Sequence, residues 1–279
     1  METKRILTGV RPTGRLHLGH LLGMLRPLVE LQGEYEMFVE VADYHALTTH
    51  FRHPADVQRL SREVALDFLA AGLDPDRCTI FVQSRIPEHA EMSLLFSMFT
   101  TVSRLERNPT YREKKDELGL GDGSLGLLGY PVLQAADILM YRANRVPVGE
   151  DQLPHLELTR EIARRFNTLY GETLPEPQPI ISTAPRLMGL DGARKMSKSL
   201  GNQIDLAHTP EEIRERVATM VTDPARAYRS DPGHPEACNV HSFFRAFSPV
   251  EAPEVAVSCR SASVGCVACK KRLAEILVD

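Results

Sequence analysis

The first two-thirds of the chain alternate short apolar runs with longer amphipathic ones, and this alternation limits the fold more than any other feature. Arg5–Val10 reads as a strand. After Pro12-Thr13-Gly14, an apolar stripe of Leu18, Leu21, Leu22, Leu25, Leu28 and Val29 has helical spacing, with a kink expected at Pro27. Glu36–Val41 is a second strand, Val57, Leu60, Val64, Phe68 and Ala71 form a second helical stripe, and residues 78–83 (CTIFVQ) are a third strand. Helical segments over 88–106 and 131–143, a strand at Arg145–Val148 and a helix over 152–169 follow. Strands separated by helices of this length predict an α/β fold with a doubly wound, Rossmann-like parallel sheet. Pro175, Pro177, Pro179 and Pro185 mark a change of composition, after which only helical patterns return, over 210–221 and 268–277. The expected division is a nucleotide-binding domain over 1–190 and a C-terminal helical domain over 191–279.

Hydrophobic residues make up 43% and charged residues 25% of 279 positions, enough length and apolar content for a buried core. The N-terminus, METKRILTGV, lacks the apolar region and cleavage site of a signal peptide. The longest uncharged apolar-rich run, 93–103, falls far short of the roughly 20 residues that span a bilayer. A cytoplasmic protein without a membrane segment is expected, and five cysteines in that compartment argue against a disulfide framework. A net charge of −4 excludes a polycation, so nucleic acid would have to meet local patches. Two candidates are Arg104, Arg107, Arg112, Lys114 and Lys115, and Arg260, Lys270, Lys271 and Arg272. For either run taken alone, a solvated surface is the simpler reading.

Two short motifs carry chemistry. In RPTGRLHLGH, residues 11–20, a strand ends, the chain turns, and His17-x-Gly19-His20 opens a helix. A helix start offers unpaired N–H groups and a positive dipole end to phosphate, Gly19 leaves room for a base or ribose, and two imidazoles one turn apart can donate to a phosphate as charge builds on it. The second motif is Lys195-Met196-Ser197-Lys198-Ser199, whose ammonium groups, hydroxyls and N–H groups suit a loop gripping a polyphosphate. Either motif alone is weak. Their combination, about 180 residues apart, is specific.

Together they resemble the two signatures of class I aminoacyl-tRNA synthetases. Between them the chain is similar to bacterial tryptophanyl-tRNA synthetases in GVRPTGRLHLGH, VADYHALT, FVQSRIPEHAE, LERNPTYREKK, GLLGYPVLQAADILMY and VPVGEDQLPHLELTREIARRFN. The resemblance implies tryptophan–tRNA ligase activity: activation of L-tryptophan by ATP with Mg²⁺, then transfer to tRNA(Trp), by a homodimer. It implies catalytic roles for His17, His20, Lys195 and Lys198. The ATP site it implies comprises Arg11, Pro12, Thr13, Gly19, His20, Gly149, Glu150, Asp151, Leu187, Lys195, Met196, Ser197, Lys198 and Ser199, with Arg112 and Lys114 on a loop reaching the phosphates. It also makes Asp137 the acceptor for the indole N–H, with Tyr130, His45, Gln152, Gln134 and Leu7 lining the pocket. Leu7 stands where many bacterial members have an aromatic residue and Gln134 where some have methionine, and His17-Leu18-Gly19-His20 stands where many have T-I-G-N. A tyrosyl-tRNA synthetase, or a non-catalytic paralogue that binds RNA or protein, is the alternative. Family members continue with further helix beyond the point where this sequence ends.

Cys238, Cys259, Cys266 and Cys269 are spaced C-x20-C-x6-C-x2-C, whereas Cys78 reads as a small buried hydrophobe in a strand. Four thiolates can hold Zn²⁺ or a [4Fe–4S] cluster, and spacing alone does not choose between them. A redox-active C-x-x-C pair or unligated thiols are the other readings. The pattern is similar to that of a subset of tryptophanyl-tRNA synthetases with a [4Fe–4S] cluster in the helical domain, which makes the cluster the expectation and Zn²⁺ the alternative.

Overall fold

The computed structural model describes residues 4–117, 123–181 and 187–279, apart from the side chains of 114–117 and Ser199. Five parallel strands, β1 (Arg5–Val10), β2 (Glu36–Val41), β3 (Cys78–Val82), β4 (Arg145–Val148) and β5 (Gln178–Ile181), lie in the order β3-β2-β1-β4-β5. β1 and β2 pair in register from Arg5↔Glu36 to Val10↔Val41. The chain winds outward from β1 through β2 and β3, then returns to the other side of β1 for β4 and β5. Ligands of such sheets bind beyond the carboxyl ends of the strands where the order reverses. Here those ends belong to β1 and β4, and they lead into Arg11-Pro12-Thr13 and Gly149-Glu150-Asp151.

β5 was not expected. It contains Pro179, but among the described residues it pairs only with β4 and forms the sheet edge, where a missing N–H leaves no neighbour unpaired.

The helices are α1 (Leu18–His20), α2 (Arg26–Leu31), α3 (Asp43–His50), α4 (Pro54–Ala70), α5 (Glu88–Ser97), α6 (Val102–Glu106), α7 (Pro109–Glu117), α8 (Leu125–Met140), α9 (Leu153–Tyr170), α10 (Pro210–Ala218), α11 (Asn239–Phe247), α12 (Ala252–Arg260) and α13 (Cys266–Val278). A π-helical turn, Leu21–Leu25, fills the space between α1 and α2, directly before Pro27. Proline has no N–H and crowds the carbonyl four residues back, and the wider turn accommodates both defects. The segment 88–106 splits into α5 and α6. α8 starts six residues before Pro131 and runs through it, with the Ser124 hydroxyl accepting the Leu127 N–H at 3.1 Å as its cap. Burial of Leu127, Tyr130, Val132, Ala135, Ala136, Ile138 and Leu139 along α8 offsets the missing backbone bond.

The chain groups into two compact units, one of Met1–Gly14 with Pro27–Ser182 and one of Arg15–Arg26 with Thr183–Asp279. The segment bearing His17 and His20 thus belongs with the C-terminal residues, although sequence order puts it in the first 190. Leu18 and Leu22 join the second unit's core with Val217, Phe243, Phe244 and Leu273. The Leu18 N–H donates to the Ile204 carbonyl at 3.0 Å and the Leu206 N–H to the Leu16 carbonyl at 2.9 Å.

Candidate active site

Asp137, buried on α8, is the hub of the first unit's polar cluster. Its Oδ1 accepts from Gln83 Nε2 at 2.9 Å and lies 2.7 Å from His89 Nδ1, and its Oδ2 lies 2.8 Å from His45 Nε2. Gln83 cannot be turned over, because its Oε1 accepts the His45 backbone N–H. A carboxylate oxygen has two lone-pair directions, so Oδ1 is saturated and Oδ2 retains one. Burial alone would push the Asp137 carboxyl up, but the hydrogen bonds from His45 and His89 outweigh it and hold the group below its ordinary range, as an anion.

Tyr130 bonds His155 and sets its ring edge-on to His45, with centroids 6.3 Å apart. Gln134 is half-buried one helical turn before Asp137. Leu7 packs with Ile138, Val146 and Leu156. Gln152 donates to Asp151 Oδ2 at 2.8 Å, and no bond joins it to Asp137 among the described residues.

Sequence reasoning gave no role to Gln83, His89 or Glu40. Gln83 directly follows β3, and a buried amide at a strand's carboxyl end is the signal that could have found it. Glu40, inside β2, is buried with Oε1 unpartnered, and burial followed by Asp137 and Asp43 pushes it well above the ordinary carboxyl range. Glu40, His89 and Asp137 offer ligand atoms within 4.8 Å of one another. His89, however, already engages Asp137 through Nδ1 and Tyr141 through Nε2, so these two belong to a hydrogen-bond network that Glu40 adjoins.

At the strand ends, Arg11 Nε donates to the His45 carbonyl at 3.2 Å and Nη2 to Thr49. Pro12 is buried, and Thr13 turns back through its N–H to the Arg11 carbonyl at 2.8 Å. Glu150 and Asp151 are exposed, and a Cβ on Gly149 would lie 2.6 Å from Asp151 Oδ1.

In the second unit His17 caps α1. Its Nδ1 accepts the Gly19 N–H at 3.1 Å, and His20 Nδ1 accepts the His17 N–H at 3.2 Å. An accepting Nδ1 carries no proton, so both neutral rings bear theirs on Nε2, free to donate. Burial, then Lys198 and Lys195, brings His17 down to about 4, while burial, then His17 and the same lysines, brings His20 down to about 3. Gly19 has a reason inside the protein as well: a Cβ there would lie 2.9 Å from His17 Cε1, displacing the ring.

Lys195 lies in, and Lys198 just after, a hairpin in which the Met196 N–H donates to the Leu187 carbonyl at 3.2 Å and the Gly189 N–H to the Arg194 carbonyl at 2.8 Å. The side chains of Leu187 and Met196 are core residues. Buried Asn202, also given no role by the sequence, ties the loop: its Oδ1 accepts the Ser197 N–H at 2.9 Å and its Nδ2 donates to Asp191 Oδ2 at 3.1 Å. The Ser199 and Lys114 side chains lie outside the described residues. Arg112 sits on the surface and donates to the Glu106 carbonyl at 3.1 Å.

Cys238, Cys259, Cys266 and Cys269 line one cavity with Arg226, Val240, Phe244 and Val255, and none forms a disulfide. Burial, then the other three thiols, pushes Cys269 up to about 11. Cys78 is buried in β3, as expected. The basic runs are less cationic than their sequence, since Arg104 pairs with Glu161, Arg260 with Glu236 and Arg272 with Glu251. No helix among the described residues is long and apolar enough to cross a membrane.

This is the architecture of a class I synthetase, and residues 2–279 match the family model for tRNA synthetases class I (W and Y). The chain belongs to that family. Among its relatives, the tryptophan–tRNA ligase of Thermotoga maritima is 56% identical over 273 residues, which is 96% of this chain and 83% of that protein. That of Aquifex aeolicus is 40% identical, with 99% and 88% covered. The crystal structure of Campylobacter jejuni tryptophanyl-tRNA synthetase complexed with ADP and tryptophan superposes with a TM-score of 0.89 at 32% identity, covering 98% of this chain and 84% of that one.

Proposed function

We infer that the chain is a tryptophan–tRNA ligase: it activates L-tryptophan with ATP, releases diphosphate, and passes the tryptophanyl group to tRNA(Trp) with release of AMP. The observation that carries this reading is the Asp137 carboxylate, a buried anion with its donors fixed and one acceptor direction left. An indole N–H satisfies it, and a side chain without a donor leaves it unpaired. Relatives that are tryptophan–tRNA ligases favour tryptophan over tyrosine.

The tryptophan carboxylate attacks the α-phosphorus in line and diphosphate leaves, so the protein supplies position and charge rather than a nucleophile. The Nε2–H groups of His17 and His20 donate to phosphate oxygens as they gain charge, and Lys195 and Lys198 neutralise the departing diphosphate. Mg²⁺ accompanies the phosphates. Arg11, Pro12, Thr13, Gly149, Glu150 and Asp151 hold the nucleoside, and Tyr130, His45, Gln134, Gln152 and Leu7 shape the amino-acid pocket around Asp137. The main chain of Leu187, Met196, Ser197 and Ser199 carries the phosphate loop. Arg112 reaches the phosphates by giving up its bond to the Glu106 carbonyl. Residues 1–190 carry the ATP- and amino-acid-binding side chains, although 15–26 group with the C-terminal unit, and 191–279 add the phosphate loop and the tRNA side.

The four cysteines line one cavity, a donor set that suits a [4Fe–4S] cluster, with Zn²⁺ as the alternative. A cluster bound by all four would brace the helical unit. The enzyme works in the cytoplasm as a homodimer, and exposed Leu94, Leu95, Met98 and Val102 supply an apolar face for the second copy.

Tryptophan-dependent ATP–diphosphate exchange tests the function. Lys195→Ala with Lys198→Ala should lower it about 10³-fold. Unchanged exchange would refute the phosphate assignment, and a preference for tyrosine would move the chain to the other branch of its family. Iron and acid-labile sulfide in anaerobically purified protein are expected, and zinc without sulfide would eliminate the cluster.

A further inference from the structure

Arg226 has no part in amino-acid activation, yet it enters the cavity that the four cysteines share. Its Nη1 lies 4.0 Å from Cys259 Sγ, its Nη2 donates to the Arg229 carbonyl at 2.7 Å, and its Nε is buried with no hydrogen-bond partner. A buried guanidinium N–H without an acceptor is expensive, and such a group usually marks a missing partner.

The loop bearing it is anchored. Asp223 accepts the Ala225 N–H at 2.9 Å and the His234 N–H at 2.7 Å, and the Gly233 N–H donates to the Cys259 carbonyl at 3.0 Å. A Cβ on Gly233 would collide with Cys259 Sγ and come within 3.4 Å of Arg226 Cδ, so this glycine lets the loop lie against the thiol. Arg226 is therefore held at the cysteines by several independent contacts.

We propose that Arg226 is the counter-cation and hydrogen-bond donor of the four-cysteine centre, with its Nε–H given to a sulfur of the bound cluster. The proposal rests on the cluster reading above. A [4Fe–4S] core with four thiolates is doubly negative when oxidised and triply negative after taking up one electron. A permanently charged guanidinium favours the second state more, raising the reduction potential, and it holds the anionic assembly in place in both.

The test uses the full chain, purified anaerobically, as wild type, Arg226→Gln and Arg226→Lys. The readouts are iron and sulfide content, the one-electron midpoint, and the rate of bleaching by a chelator. Arg226→Gln should weaken the reduction equilibrium about tenfold, a shift of about 59 mV to more negative potential for a one-electron couple, and should bleach several-fold faster. Arg226→Lys keeps the charge and should recover most of the midpoint but not the bleaching rate. If Arg226→Gln does not fold, the bleaching rate of Arg226→Lys decides, and a wild-type rate overturns the proposal. A loaded Arg226→Gln protein with wild-type midpoint and bleaching overturns it while leaving the cluster intact. Zinc without sulfide in the wild type removes cluster and proposal together, so the two failures are distinct.

Discussion

Asp137→Asn keeps the size and burial of the side chain while replacing an acceptor-only carboxylate by an amide with one donating end. Three donors already converge on that carboxylate, from Gln83, His89 and His45, at 2.9, 2.7 and 2.8 Å. Gln83 cannot reverse without abandoning the His45 backbone N–H. The least unfavourable arrangement keeps the amide oxygen toward Gln83 and His89, which puts the NH₂ group where Oδ2 was. There it faces the His45 ring and the place left for an indole N–H. The lost bond is one to a charged acceptor, worth about 1.5–3 kcal/mol, so kcat/KM for tryptophan should fall about 10- to 150-fold. Because the indole is remote from the reacting carboxylate, the loss should appear in KM with kcat little changed. Exchange kinetics measure both constants. An analogue with sulfur in place of the indole nitrogen supplies a control that does not depend on stability: the wild type should discriminate against it, and the variant should largely lose that discrimination. A folded variant with KM within twofold of wild type and undiminished discrimination would refute the role given to Asp137.

Three further outcomes follow from the second unit. His17 and His20 titrate near 4 and 3 in the fold, below the 6.5 of an ordinary histidine. The unfolded chain therefore binds more protons across that interval, and stability should rise as pH climbs from about 3 to 6.5 and then level off. Urea midpoints against pH should show this rise, and His17→Gln with His20→Gln should flatten it. Asn202→Ala removes the bonds to the Ser197 N–H and Asp191 Oδ2, at a stability loss of about 1–3 kcal/mol. It should raise KM for ATP in the exchange assay while calorimetric tryptophan binding stays near wild type.

The sheet was legible because β1, β2, β3 and β4 are apolar runs spaced by amphipathic ones, a pattern that burial on both faces imposes. β5 was not, since its pairing is set by an edge position that local pattern does not encode. The motif residues His17, His20, Lys195 and Lys198 could be read because their chemistry is concentrated in two short strings. Gln83, His89 and Glu40 could not, because their importance comes from meeting Asp137 across 54, 48 and 97 positions of chain. The grouping of residues 15–26 with the C-terminal unit was hidden for the same reason: Leu16 and Leu18 bond to a segment near residue 205 that only folding brings alongside.

The protonation states of the second unit divide its work. Lys195 and Lys198 supply positive charge, and that charge, after burial, lowers the pKa of His17 and His20. Two more cations here would repel the lysines before any phosphate arrived, whereas neutral rings add directional donors without adding charge. The cap geometry then decides which nitrogen donates. With each Nδ1 occupied by a backbone N–H, only Nε2 can carry the proton, and no tautomer change is needed as a phosphate oxygen gains charge. Gly19 belongs to the same device, because a side chain there would push the His17 ring away from the N–H that fixes its tautomer. The motif's histidines and glycine thus act as one unit: the glycine permits the ring position, the ring position sets the tautomer, and the tautomer presents the donor.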